Sequence, residues 1–312
     1  MSTRKSTLFC LSLSCVLFYA PSAFGQTPAA ALASADALAG PPLTTAKAWI
    51  IGDGKTGEPL WEHDSNAARS MASTTKMMTC WIVLELAREN AAVLDQVATI
   101  SERADKTGGS TADVRDGEKI AVRDLLYGLM LPSGNDAATA LAEHFGDRFD
   151  PPPDAPSADS LARFVAEMNR RARTLEMKET KYLDPHGNSR NESSARDLLK
   201  LAWTARRNPL FCEYVGTRSH SGTAQRPDGG ERTITWKNTN QLLGIEGFDG
   251  VKTGTTGSAG ECLVSSGRRG EDHLLIVVLG SASGGGRYVD SRNLYRWAWQ
   301  QRGHREDTAT GR

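Results

Sequence analysis

The sequence predicts an α+β protein, because three kinds of pattern follow one another along the chain. A strand–turn–strand unit comes first, a long middle stretch repeats apolar residues at helical spacing, and short β-like runs return before one closing helix. With 312 residues, 39% of them hydrophobic and 24% charged, the chain has material for one large core or two modest ones.

The first unit is a β-hairpin: Ala48-Trp49-Ile50-Ile51 and Leu60-Trp61-Glu62-His63 flank the turn residues Asp53-Gly54-Lys55-Thr56-Gly57. From Ser73 to Glu89 the residues Met77, Cys80, Trp81, Leu84 and Ala87 recur at helical intervals. Residues 122–130 and 137–145 read as two more helices, separated by Leu131-Pro132-Ser133-Gly134-Asn135-Asp136, where Pro and Gly interrupt a helix and Asn or Asp caps the next. Four prolines mark residues 150–160 as a surface loop or insertion before a helix over 161–175. An amphipathic helix follows over 194–206, then strands over 233–236, 250–253, 261–266 and 274–279, the last two joined by a hairpin turn over 267–272. Leu294, Trp297 and Ala298 share one face of a closing helix over 288–301. There is no regular βαβ alternation and no internal repeat.

Ahead of these elements, Arg4 and Lys5 precede an apolar run over 8–20, and Ala23-Phe24-Gly25 supplies the small residues of a cleavage site. Ser12 and Ser14 interrupt that run, which favours a secretory signal peptide over a membrane span. The expected organisation is therefore a signal peptide at 1–25, an Ala/Pro-rich linker at 26–45, a folded domain at 46–302 and a polar tail at 303–312. No later segment is apolar enough for a transmembrane anchor, so the mature protein is expected to be soluble, periplasmic or cell-wall-associated. Formal net charge is zero, which gives a nucleic-acid partner no electrostatic support. Signal removal leaves Cys80, Cys212 and Cys262, an odd number, so at least one thiol stays free or pairs with another chain. Cys80 lies in an apolar run and reads as a small buried hydrophobe. No cysteine pair and none of the six histidines has metal-ligand spacing, so neither a metal nor a cofactor is expected.

Three short motifs carry the chemistry: Ser73-Thr74-Thr75-Lys76, Ser133-Gly134-Asn135 and Lys252-Thr253-Gly254. Each is weak alone, since Ser2 to Lys5 also fits SxxK, Ser189-Arg190-Asn191 and Ser291-Arg292-Asn293 fit SxN, and Lys55-Thr56-Gly57 and Lys106-Thr107-Gly108 fit KTG. Order and context give the three their meaning. A serine needs a base within reach, and the i, i+3 spacing of Ser73 and Lys76 on a helix places the amine beside the hydroxyl. At a helix start the backbone NH of Ser73 is free to hold an oxyanion. Lys76 serves as a base only when neutral, a state that burial or a second cation such as Lys252 promotes. Ser133 and Asn135 put a hydroxyl and an amide on a tight turn, fit to pass a proton and to hold a carbonyl or the lysine. Lys252 and Thr253 sit on a strand edge, where a cation and a hydroxyl bind a carboxylate and Gly254 lets a substrate backbone approach.

From about Ala46 to Arg302 the chain resembles the penicillin-binding D-alanyl-D-alanine carboxypeptidases of serine peptidase family S11. The resemblance rests on the three motifs together with Trp49-Ile50-Ile51, His186-Gly187, Ala195-Arg196-Asp197-Leu198, Lys237-Asn238 with Asn240, and Asp249-Gly250-Val251 running into Lys252. It implies a β-lactamase/transpeptidase-like fold, with an antiparallel sheet flanked by helices, a helical subdomain, and the active site between them. It also implies that Ser73 attacks a peptidoglycan stem peptide ending in D-Ala-D-Ala, with Lys76 as base and Ser133 relaying a proton to the departing D-alanine. Asn135 would orient the substrate, Lys252, Thr253 and Gly254 would receive its terminal residue, and the NH groups of Ser73 and Thr255 would hold the oxyanion. Arg287 would add to carboxylate binding, β-lactams would act as covalent inhibitors, and no cofactor would be required. Unlike in longer members of the family, no second β-rich domain is expected after Arg302.

Other readings compete on specific residues. A class A β-lactamase needs a carboxylate for its deacylating water in a Glu-x-x-Leu-Asn stretch, and Glu192 is instead followed by Ser193-Ser194-Ala195. A DD-endopeptidase of the same family shares every motif. Gly52 to Gly57 fits GxGxxG, but a strand returns at Leu60 where a dinucleotide fold would open a helix. A non-catalytic wall-binding protein with an idle site is the reading from another class.

Overall fold

The computed structural model describes residues 40–156 and 158–304; the expected signal peptide lies outside them. At the centre is a five-stranded antiparallel sheet in the order β2-β1-β11-β10-β9. Its strands are β1 (Ala48–Asp53), β2 (Pro59–His63), β9 (Phe248–Thr256), β10 (Gly260–Arg269) and β11 (Asp272–Ser281). The central strand β11 runs Leu274-Leu275-Ile276-Val277-Val278-Leu279 without a polar break because both of its faces are covered. Successive side chains alternate sides. Leu274, Ile276 and Val278 join Trp49, Ile51 and Leu263 beneath Leu294, Tyr295 and Ala298 of α8 (Gly286–Gln301). Leu275, Val277 and Leu279 join Ala48, Ile50 and Val264 in the larger core on the opposite face.

That larger core is centred on α1 (Lys76–Glu89), whose Met77, Met78, Cys80, Trp81, Ile82, Val83 and Leu84 are all buried. A helix apolar all round belongs inside a protein, and truncating a fully buried leucine such as Leu84 to alanine costs about 2–5 kcal/mol. Around it stand α2 (Glu102–Asp105), α3 (Val122–Met130), α4 (Asn135–Gly146), α5 (Ser160–Thr174), α6 (Ala195–Ala205) and α7 (Pro209–Gly216). Asp159, Ser194 and Asn208 cap α5, α6 and α7 by accepting backbone NH groups of the first turn. A second sheet, β4-β5-β7-β8, lies beside the helices, formed by β4 (Val97–Thr99), β5 (Lys119–Ala121), β7 (Ser219–Gln225) and β8 (Glu231–Lys237). A two-residue pair, β3 (Arg69–Ser70) with β6 (Glu192–Ser193), braces the approach to α1.

Several elements depart from the sequence expectation. The turn between β10 and β11 is only Gly270-Glu271, with Gly270 at φ +57°, because the sheet register continues to Arg269↔Asp272. Helix α7 and strand β7 escape the periodicity argument: one is too short, and the other, Ser-His-Ser-Gly-Thr-Ala-Gln, buries only two residues. Thr45, at the end of the expected linker, donates its NH and hydroxyl to Asp290 on α8. Cys80, Cys212 and Cys262 are all free thiols.

Candidate active site

The site forms where the start of α1 meets the edge strand β9. Ser73 lies in a 3-10 turn, Ala72–Thr75, rather than in the first α-helical turn predicted for it, and Lys76 begins the α-helix proper. The turn has its own supports. Thr74 and Thr75 donate their hydroxyls to the carbonyls of Met71 and Ala72, and Ala72 is held at φ +48°, a left-handed conformation uncommon outside glycine. Gly187 is needed here, because a Cβ on it would sit 2.0 Å from the Ala72 carbonyl oxygen.

Lys76 is fully buried, and its Nζ donates to Ser73 Oγ at 3.0 Å, Asn135 Oδ1 at 2.7 Å and the His186 carbonyl at 2.8 Å. Burial, and then the nearby charge of Lys252, hold its amine well below the usual lysine range, with Asp184 and Asp136 opposing the shift. Burial likewise pushes the His186 ring down to about 4, so this histidine is neutral and offers the lysine its backbone carbonyl.

Ser133 follows Pro132 in the turn between α3 and α4, at φ +69° and 5% exposed. Its neighbours fix that conformation: Gly134 NH donates to the Gly128 carbonyl and Asn135 NH to the Ser110 carbonyl. Ser133 Oγ is buried and has no hydrogen-bond partner among the described residues. Asn135 is the first residue of α4, and its Nδ2 donates to the Gly108 carbonyl at 2.7 Å. That fixes its amide orientation, so Oδ1 faces Lys76.

On the opposite wall, β9 is the outermost strand of the main sheet. Its register pairs Lys252 with Val264 of the large core, and Thr253 with Leu263 of the α8 core. Lys252 therefore turns toward the helical side and Thr253 toward α8. Lys252 is 1% exposed, its Nζ donates to the Thr253 carbonyl and to no other group among the described residues, and burial followed by Arg287 pushes it down to about 7. Thr253 Oγ1 shares a hydrogen bond of 2.8 Å with Thr239, whose carbonyl accepts from Tyr288. Gly254 lets the walls meet: a Cβ there would lie 3.0 Å from Ser73 N and from the Met71 carbonyl oxygen. Thr255 is exposed, with its hydroxyl donated to Glu261.

Sequence reasoning missed the supporting residues. Buried Asp136 accepts from the Thr111 hydroxyl and from the NH groups of Ala112, Val114 and Ala137, which anchors residues 111–114 to the start of α4. Asn191, set aside as part of a chance SxN match, donates to Thr75 Oγ1 and to the Asp184 carbonyl and accepts from Leu183 NH, locking the loop beneath Ser73. Lys106-Thr107-Gly108, set aside as a chance KTG match, supplies the carbonyl that orients Asn135. Only the burial of these polar groups at sites far apart in sequence reveals them.

With this geometry in hand, three comparisons bear on identity. The family model for peptidase S11, D-alanyl-D-alanine carboxypeptidase, matches residues 35–283. The chain belongs to that family. A D-alanyl-D-alanine carboxypeptidase of Streptomyces sp. strain K15 is 35% identical over 283 residues, 88% of this chain and 92% of that one. A protein named D-alanyl-D-alanine endopeptidase from Pseudomonas aeruginosa is 31% identical over 80% of this chain and 75% of its own length. Among solved structures, the Streptomyces K15 DD-transpeptidase superposes with a TM-score of 0.75 at 34% identity, over 84% of this chain and 99% of that one. Membership establishes this S11 enzyme as a serine D-Ala-D-Ala carboxypeptidase with the transpeptidase-like α+β fold.

Proposed function

We propose that Ser73 is the nucleophile of this carboxypeptidase and Lys76 its base, on the strength of one observation: a fully buried lysine amine 3.0 Å from the serine hydroxyl. Ser73 Oγ adds to the carbonyl of the penultimate D-alanine of a peptidoglycan stem peptide while its proton passes to Lys76 Nζ. The NH groups of Ser73 and Thr255 hold the resulting oxyanion. The C–N bond then breaks, and Ser133 relays a proton to the departing D-alanine nitrogen, giving up its own and taking back the one held by Lys76. Water hydrolyses the ester and restores Ser73. Asn135 orients the substrate, and Lys252 with Thr253 receives the terminal carboxylate while Gly254 admits the substrate backbone. β-Lactams acylate Ser73 in the same way and leave it slowly. The chain is exported by residues 1–25, joined through a linker at 26–45 to a catalytic domain at 46–302 with a polar tail at 303–312, and acts in the periplasm or at the cell wall. No helix among the described residues is long and apolar enough to cross a membrane.

The test is D-alanine release from diacetyl-Lys-D-Ala-D-Ala by the wild type and by Ser73→Ala, beside intact-mass measurement with benzylpenicillin. Wild-type turnover and a penicilloyl adduct, both lost in the variant, are expected; undiminished release by Ser73→Ala would overturn the proposal.

A further inference from the structure

Beside the carboxylate-receiving edge of β9 lies a charge pair that the proposed reaction does not use. The register of β9 and β10 sets Glu261 directly opposite Thr255, so their side chains share a face. Thr255 Oγ1 donates to Glu261 Oε2 at 2.7 Å. Arg287, in the first turn of α8, reaches the same spot. Its Nη1 lies 2.7 Å from Glu261 Oε2 and donates to Thr255 Oγ1 at 2.9 Å and to the Gly254 carbonyl at 3.1 Å. The side chains of Arg287 and Glu261 are 13% and 18% exposed.

Two cations, Lys252 and Arg287, thus stand at the strand edge where a peptide's terminal carboxylate is expected, and the second already holds a carboxylate of the protein. A guanidinium paired in this way has less to offer an incoming anion, and Glu261 itself repels one. Resting on the carboxypeptidase reading above, we propose that Glu261 is a built-in substitute for the substrate carboxylate. By occupying Nη1 of Arg287 it lowers the demand for a free α-carboxyl on the leaving residue, so the site also accepts peptides whose last carboxyl is amidated. Glu261 is in this sense a specificity-determining residue that acts through Arg287.

The experiment compares kcat/KM for diacetyl-Lys-D-Ala-D-Ala with that for its C-terminal amide at pH 6, in the wild type and in Glu261→Gln. Active sites are counted by labelled penicillin so that misfolded protein does not enter the rates. Freeing Arg287 is expected to raise the acid-to-amide ratio about fivefold, chiefly through a lower KM for the acid. Glu261→Asp, which keeps the charge, is expected to restore most of the wild-type ratio. The corresponding ratio for acylation by benzylpenicillin and its methyl ester is expected to move with Glu261→Gln in the same direction. An unchanged or lowered ratio in Glu261→Gln would overturn the proposal, a fall meaning that Glu261 holds Arg287 in place for substrate. A wild type that releases neither D-alanine nor its amide would instead remove the carboxypeptidase reading, and this inference with it.

Discussion

Lys76 and Lys252 are the same residue type buried to the same degree on facing walls of one cleft, yet their surroundings differ. Among the described residues, Lys76 is enclosed by three acceptors drawn from three segments of the chain, whereas Lys252 donates to one carbonyl, that of the residue after it. The helical wall spends its polar groups on holding its lysine still. The strand wall gives its lysine a single acceptor among the described residues. Burial lowers both amines, and repulsion between the two cations favours a state in which at least one of them is neutral. On the proposed roles, the strand lysine helps to keep the helical one available as a base, while holding a charge of its own up to about pH 7.

Breaking the helical side is expected to have the largest effect. Lys76→Met keeps the volume and removes the amine, and acylation by penicillin should slow by about a thousandfold or more, measured by stopped-flow or quenched mass spectrometry. If the strand lysine can substitute as base, the loss will be far smaller. Next in size is Asp136→Ala, which leaves the NH groups of Ala112 and Val114 and the Thr111 hydroxyl without their acceptor. A loss of about 2–4 kcal/mol in urea unfolding is expected, while the strand-side variant Thr253→Ala should cost under about 1 kcal/mol. Gly254→Ala tests the contact between the walls. Its methyl meets Ser73 N and the Met71 carbonyl at 3.0 Å, so Ser73 must shift, and kcat/KM should fall about tenfold to a hundredfold with little change in stability.

The smallest effect is the most selective one. Lys252 is an ammonium below about pH 7 and an amine above it, and only the ammonium attracts a carboxylate. The acid-to-amide ratio of kcat/KM should therefore be flat below pH 7 and fall with rising pH above it, by at most about tenfold per unit. Lys76 must be neutral, so protonation at low pH slows both substrates alike and cancels from the ratio. A flat ratio from pH 6 to pH 9 would remove Lys252 from carboxylate binding.

Much of this contrast could be read from the residues. The i, i+3 spacing of Ser73 and Lys76, the Pro and Gly around Ser133 and the strand-like run into Lys252 each fix a local geometry, and local geometry is what spacing encodes. The supports were not legible, because each joins distant positions: Gly108 to Asn135, Asn191 to Thr75, Glu261 to Arg287. Asp136 carried a faint signal, as a charged residue beside Asn135 in an otherwise apolar helix start. The 3-10 geometry of residues 72–75 also escaped the periodicity argument, because a single tight turn has no period to detect. Strand β7, polar and largely exposed, gave no alternation strong enough to mark it.

The pairing of β1 with β11, Ala48 against Leu279, also has a consequence for synthesis. The main sheet cannot close until nearly the whole chain exists, and contacts between such distant residues form slowly. As the polypeptide emerges it carries Ser73 and Lys76 early, while Gly254 and the strand that walls them in come last. Until then the acceptors from residues 135 and 186 can surround the lysine, but one wall of its enclosure is missing. On the proposed roles, the nucleophile and its base are made first and the wall that completes their site is made later.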